Sequence, residues 1–223
     1  MLFEYRTYQI LPGKTEVFVA GLEQIPLPTF QKHGARLIGC WRPAVAETDN
    51  LLIYILGYRS LAHREEVWEA FLQDEAMVAY RDEVRHDPRV AGATSKIMLP
   101  TDFSPPEPAL PASSSTRVYE HHTYIALPGK NSRFRRGFQE VDLPLLAKHG
   151  ATLVAAWEPL IGGEANEFLS ILAFDDLRHR QQVWHHVCGE EEWQRYCWES
   201  QAHPYVAREI VRVMRPTPAS PLL

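Results

Sequence analysis

The feature that most constrains this chain is an internal repeat. Leu11-Pro12-Gly13-Lys14 returns as Leu127-Pro128-Gly129-Lys130, and Lys32-His33-Gly34-Ala35 returns as Lys148-His149-Gly150-Ala151 at the same offset of 116. Trp41 and Pro43 fall on Trp157 and Pro159. His63-Arg64 and Val67-Trp68 fall on His179-Arg180 and Val183-Trp184, and Ser104-Pro105 falls on Ser220-Pro221. The correspondence needs no gap from Glu4 to Thr101. A period this long is a duplicated module and not a solenoid repeat. The expected organisation is a first module at 1–100, a Pro/Ser-rich linker at 101–116, a second module at 117–216 and a tail at 217–223.

Within each module the hydrophobic periods alternate between two and 3.6 residues. Residues 2–10 read as a strand ending at Pro12-Gly13, and 14–32 as a helix. Pro26 and Pro28 predict a break near Ile25, because proline removes a backbone donor. His33-Gly34 reads as a helix stop. Residues 35–41 and 51–58 read as strands, 61–71 and 74–86 as helices, and 95–99 as a closing strand. This is the α+β, ferredoxin-like βαββαβ order. A four-stranded sheet with helices on one face leaves its other face bare. Two such modules on one chain therefore predict a pseudo-dimeric α/β barrel. The linker, rich in proline and serine, reads as a semi-rigid spacer.

Composition narrows the function classes. Of the 223 residues, 45% are hydrophobic and 23% charged, and the formal net charge is −5. These are globular values with no overall attraction to nucleic acid. No apolar run is long enough to span a bilayer, and residues 1–6 do not read as a signal peptide. Cys40, Cys188 and Cys197 are odd in number and form no Cys-x-x-Cys spacing, which predicts reduced thiols and a cytoplasmic protein. No phosphate loop, nucleophile elbow or zinc spacing occurs. Adjacent histidines such as His121-His122 splay to opposite faces of a strand, so no metal site and no cofactor are assigned.

Several positions are candidates for a small-molecule site. Arg6 and Tyr8 share one strand face with Glu4; Arg6 either pairs with Glu4 or binds a carboxylate or carbonyl oxygen. Tyr54 is placed with them. The tryptophans repeated between modules, Trp41, Trp68, Trp157 and Trp184, read either as core or as pocket walls, and the small-molecule reading takes Trp41 and Trp68 as walls. The second module offers His122, Tyr124, Trp157 and Trp184. His33 and His149 either cap helices or act in acid–base chemistry. His63 and His179 read as surface residues.

Glu4-x-Arg6-Thr7-Tyr8 followed by Pro12-Gly13-Lys14, the His33-Gly34 turn, Asn50 before an apolar strand, and Ser95-Lys96-Ile97 before a proline resemble the NIPSNAP family. The resemblance covers both modules. It implies a dimeric α/β barrel in tandem, fused form, in a fold shared with small monooxygenases, haem proteins, isomerases and stress-response dimers. It implies no catalytic motif. His122 departs from the pattern where the first module has Arg6. Two functional expectations stand: a small-molecule-binding protein, with a cofactor-independent isomerase or monooxygenase among the forms it takes, and a non-catalytic module that binds other proteins. An intramolecular pseudo-dimer is expected in either case, and a homodimer of chains is left open.

Overall fold

The computed structural model describes residues 1–45, 50–107 and 116–222. The first module runs β1 (Leu2–Ile10), α1 (Thr15–Gln24), α2 (Pro26–Lys32), β2 (Arg36–Val45), β3 (Leu51–Tyr58), α3 (Leu61–Gln73), α4 (Glu75–Arg85) and β4 (Val90–Pro100). The second follows as β5 (Val118–Ala126), α5 (Asn131–Gly137), a π-helical turn at Phe138–Asp142 and α6 (Leu143–Lys148). It ends with β6 (Thr152–Ile161), β7 (Glu167–Phe174), α7 (Leu177–Gly189), α8 (Glu191–Ala202) and β8 (Val206–Pro216). No helix among the described residues is long and apolar enough to cross a membrane.

The strands close into one barrel in the order β1-β3-β2-β8-β5-β7-β6-β4. Each sheet keeps its ferredoxin-like order, and two antiparallel seams, β2 with β8 and β4 with β6, join them. The pseudo-dimeric α/β barrel expected from the repeat is the fold. Closure leaves no sheet edge unpaired, which is how an eight-stranded sheet avoids edge exposure.

Strand alternation then sorts the side chains. In β1, Phe3 and Tyr5 face the barrel interior with Ile53, Ile55, Met98, Tyr119 and Leu169. Leu2, Tyr8 and Ile10 face the helices with Leu52, Leu56 and Tyr58. Every residue of β3 and of β7 is buried, as a strand covered on both faces requires. The helix break predicted at Ile25 is there, between α1 and α2. The second module takes the same corner as the π-helical turn, with Asp142 standing where the first module has Pro26.

The strand preceding each core tryptophan is irregular. The β2–β3 register shifts between Leu37 and Gly39, and the β6–β7 register between Leu153 and Ala155. One extra residue inverts the alternation downstream. Trp41 and Trp157, candidate site residues with a core role as the alternative, therefore point into the barrel interior as core residues, where both are fully buried.

The first residues of the expected spacer are docked onto the second module. Thr101 N–H donates to Ala156 O at 3.0 Å, and Ala156 N–H donates to Ser104 Oγ at 3.0 Å. Phe103 packs on Phe138 and Phe168. The tail reciprocates: Thr217 N–H donates to Cys40 O at 2.9 Å and Cys40 N–H to Ser220 Oγ at 3.1 Å. Leu222 reaches the barrel interior, and its carbonyl accepts from Tyr119 Oη at 2.7 Å. Residues 108–115 of the spacer lie outside the described residues.

Candidate functional site

Each module has a cleft between the helix-facing side of its sheet and the helices, and the base of each cleft is a buried glutamate. Glu4 is fully buried on β1. Its carboxylate accepts from Arg64 Nε and Nη2 at 2.9 and 2.8 Å, Arg6 Nη1 at 3.0 Å and Trp68 Nε1 at 3.0 Å. Ser95 Oγ at 2.5 Å and Tyr58 Oη at 3.2 Å complete the set. Burial by itself would raise this carboxyl, but the hydrogen bonds from Arg64 and Ser95 and the two guanidinium charges hold it at about 2. Glu120 repeats the arrangement with Arg180 Nε at 2.8 Å and Trp184 Nε1 at 2.8 Å. Arg64 and Arg180 begin the second turn of α3 and α7, one turn before Trp68 and Trp184, so each pair shares a helix face.

Above Glu4 the first cleft opens into a cavity of about 180 Å³ lined by Arg6, Tyr8, Phe18, Leu22, Tyr54, Trp68, Met77 and Tyr80, among others. Arg6 donates to Tyr8 Oη from Nε at 3.2 Å and from Nη2 at 2.9 Å, and Tyr8 Oη lies 3.2 Å from Tyr54 Oη. The guanidinium stacks 4.8 Å from the Trp68 ring, a favourable cation–π geometry. Burial, then the neighbouring Tyr8, raises the Tyr54 phenol well above its usual value. It is a neutral donor at physiological pH. With Glu4 ionised and saturated by its donors and Tyr54 neutral, Arg6 and Tyr54 supply oxygen-binding donors, and neither carboxylate nor phenol serves as a base. The volume suits a molecule of roughly benzene size with a polar substituent; flavin- or haem-sized ligands need several times more. A second cavity of about 250 Å³, containing Arg89, shares Phe18 and Tyr80 as walls and continues the first outward.

The corresponding volume in the second module is occupied by larger side chains. Leu22 becomes Phe138 and Met77 becomes Trp193. Phe134, Phe138, Phe168 and Tyr124 form one aromatic cluster there. His122 replaces Arg6, with Nδ1 3.0 Å from Glu209 Oε1 and 3.0 Å from Tyr124 Oη, and Nε2 3.5 Å from Glu120. Burial opposes its charge, but the hydrogen bonds and charges of Glu120 and Glu209 raise it to about 9. Asp142, on the π-helical turn, is raised to about 7 by burial, with Glu209 adding to the shift and His122 opposing it.

The structure thus brings Arg6, Tyr8, Tyr54 and Trp68 together in one cleft, and His122, Tyr124 and Trp184 in the other. It does not bring Trp41 or Trp157 to either. His33 and His149 lie at helix junctions: His33 Nε2 is 2.8 Å from Asp74, the residue capping α4, and His149 Nε2 is 2.7 Å from Glu190. His63 is buried rather than on the surface, with Nδ1 accepting from Arg59 N–H at 3.2 Å. Among the described residues no group of three or more His, Cys, Asp and Glu is placed to hold a metal ion. Sequence reasoning missed Glu4 and Arg64 as the base of the site, and Glu209 and Asp142 as the charges that distinguish the second cleft. Glu4/Glu120, Arg64/Arg180 and Trp68/Trp184 are identical at the repeat offset, and that identity was the available signal.

A closed barrel of two ferredoxin-like units places this protein in the dimeric α/β-barrel fold class, here on one chain. The NIPSNAP family model matches residues 3–105 and again 119–221, so the chain belongs to the NIPSNAP family. No curated protein matches it. Among solved structures, an uncharacterised NIPSNAP domain protein from Burkholderia xenovorans is 28% identical over 47% of this chain and 99% of its own, with a TM-score of 0.43. A candidate monooxygenase from Fusobacterium nucleatum is 10% identical over 96% of this chain and 91% of its own, with a TM-score of 0.63. An anthrone oxidase-like protein is 12% identical over 97% and 91%, with a TM-score of 0.61. At such identities the last two share the fold with this chain.

Proposed function

We propose that the first module binds a small, partly apolar molecule carrying an oxygen acceptor, and that the second module serves as scaffold. The observation that carries this is the 180 Å³ cavity in which Arg6, Tyr8 and Tyr54 converge. The phenylalanine and tryptophan at the Leu22 and Met77 positions of the second module point the same way. Fold neighbours described as a candidate monooxygenase and as anthrone oxidase-like agree with a small-molecule ligand. The donor set favours any reaction that builds negative charge on a bound oxygen, as enolisation or cofactor-independent oxygenation does, because preorganised donors stabilise such charge. A substrate for that chemistry would have to arrive ionised or lose its proton to solvent, since neither Glu4 nor Tyr54 is a base at neutral pH.

The test is a calorimetric and thermal-shift panel of small aromatic and carbonyl compounds on the wild type and on Leu22→Phe, which places the second module's side chain in the first cleft. Wild type is expected to gain about 2–3 kcal/mol of stability at a hundredfold ligand excess over Kd. Leu22→Phe is expected to lose that response while remaining folded. Equal responses in the two proteins remove the cavity as the site and favour a surface that binds other proteins.

A further inference from the structure

Charge inside the first cleft is not balanced. Among the described residues, the only carboxylate in ion-pair range of Arg6 or of Arg64 is Glu4. Two guanidiniums therefore share one carboxylate, which leaves one net positive charge beside the cavity. The outer cavity does not offset it, since Arg89 and Lys14 are met by Glu83 and Asp87. The second module provides an internal comparison. There Glu120 faces Arg180 and His122, and Glu209 adds a second carboxylate against His122. Two cations meet two carboxylates, before Asp142 is counted. The position of Glu209 is occupied in the first module by Ala93, which pairs with Tyr8 just as Glu209 pairs with Tyr124.

Proton positions agree with the charge count. Tyr8 Oη accepts twice from Arg6, so its own hydrogen goes to Tyr54 Oη, and the Tyr54 hydrogen is left for a ligand. Arg6 spends three of its five N–H groups on Tyr8 and Glu4, which leaves one hydrogen on each terminal nitrogen.

Resting on the small-molecule reading above, we infer that the ligand of the first cleft is a small organic monoanion, a carboxylate or an ionised enol or phenol of benzoate size. Its charged oxygen meets Arg6 and Tyr54, and its apolar body lies among Phe18, Leu22 and Met77. The missing partner of Arg6 is supplied by the ligand, in the place that Glu209 takes beside His122. An unpaired charge at a mostly buried site is unfavourable, so the preference for an anion over an isosteric neutral compound is large.

The experiment compares benzoate with benzamide by calorimetry on the intact protein, in wild type, Ala93→Glu and Leu22→Phe. Ala93 is exposed and is not itself a cavity-lining residue, and Ala93→Glu copies the second module's compensating carboxylate beside Arg6. In wild type, benzoate is expected to bind at least about tenfold more tightly than benzamide. In Ala93→Glu the ratio is expected to fall to within about threefold, because benzoate loses far more affinity than benzamide. Benzoate affinity in wild type is expected to be equal at pH 6 and pH 8. Equal affinity for the two compounds in wild type, both lost in Leu22→Phe, overturns the monoanion inference and leaves the cavity reading in place. An unaltered ratio in Ala93→Glu also overturns the inference, because the selectivity then does not come from the charge on Arg6. Failure of both compounds to bind in wild type overturns it together with the cavity reading.

Discussion

Glu4 and Asp142 show how differently two buried carboxyls can be treated by one fold. Glu4 collects donors from β1, β3, β4 and α3, and its charge is worth more in the protein than in water. Its pKa falls from 4.5 to about 2, so the folded form gives up its proton more readily than the unfolded chain. The associated stability, on the order of 3 kcal/mol, is present above about pH 4.5 and lost as pH falls toward 2. Glu4→Gln leaves Arg6 and Arg64 without their carboxylate and is expected to lower stability by about 3–5 kcal/mol, measurable as a drop in urea midpoint. Asp142 has the opposite sign. Its pKa rises from 3.8 to about 7, so the folded protein holds this proton more tightly. Stability is then lost as pH rises from about 4 to 7. The groups facing it are His122, Glu209, Tyr124, Tyr196, Tyr205 and Cys197. Asp142→Asn is expected to raise stability by about 2–3 kcal/mol more at pH 8 than at pH 5, with the gain vanishing only below about pH 4. A variant destabilised equally at both pH values would show that Asp142 is held as a needed hydrogen-bond acceptor.

At the scale of elements, the turns were legible, and the faces only where the strands are regular. Pro26 placed the α1–α2 break, because a missing N–H cannot be hidden inside a helix. Gly34 placed the end of α2, and it does take the left-handed conformation, with φ of +99°. A Cβ there would also lie 3.3 Å from His63 Nε2. Gly34→Ala is therefore expected to cost about 1–2 kcal/mol by chemical denaturation, with Gly150→Ala behaving alike. Trp41 shows the limit of this reading. Counted by simple alternation from Leu37 it belongs on the helix side, and the extra residue at Ile38 turns it into the barrel. A bulge depends on the partner strand's register, which the sequence of one strand does not contain. The candidate site divided the same way. Arg6, Tyr8, Tyr54 and Trp68 were legible because they sit on regular elements. Glu209 was not, because its role depends on β8 lying beside β5, a pairing between segments far apart in the chain.

The whole molecule is held by contacts that ignore the boundary between repeats. Thr101–Ser104 closes over the second module and Thr217–Leu222 over the first, each completing a seam that its own module cannot close. Neither half is then a self-sufficient folding unit. Residues 1–107 and 116–223 expressed separately are each expected to be non-monomeric or aggregation-prone. Mixed during refolding, they are expected to recover a 1:1 complex that elutes with the intact protein. Two stable monomers by size-exclusion chromatography with light scattering would count against the seams as the source of stability.

The fused seams also change what a mutation means. In a two-fold dimer of identical chains, every substitution appears in both clefts, and a residue good for one is forced on the other. Here Glu209, Phe138 and Trp193 each occur once. Covalent linkage released the two clefts from symmetry, so one was free to fill and neutralise itself while its twin stayed hollow and charged.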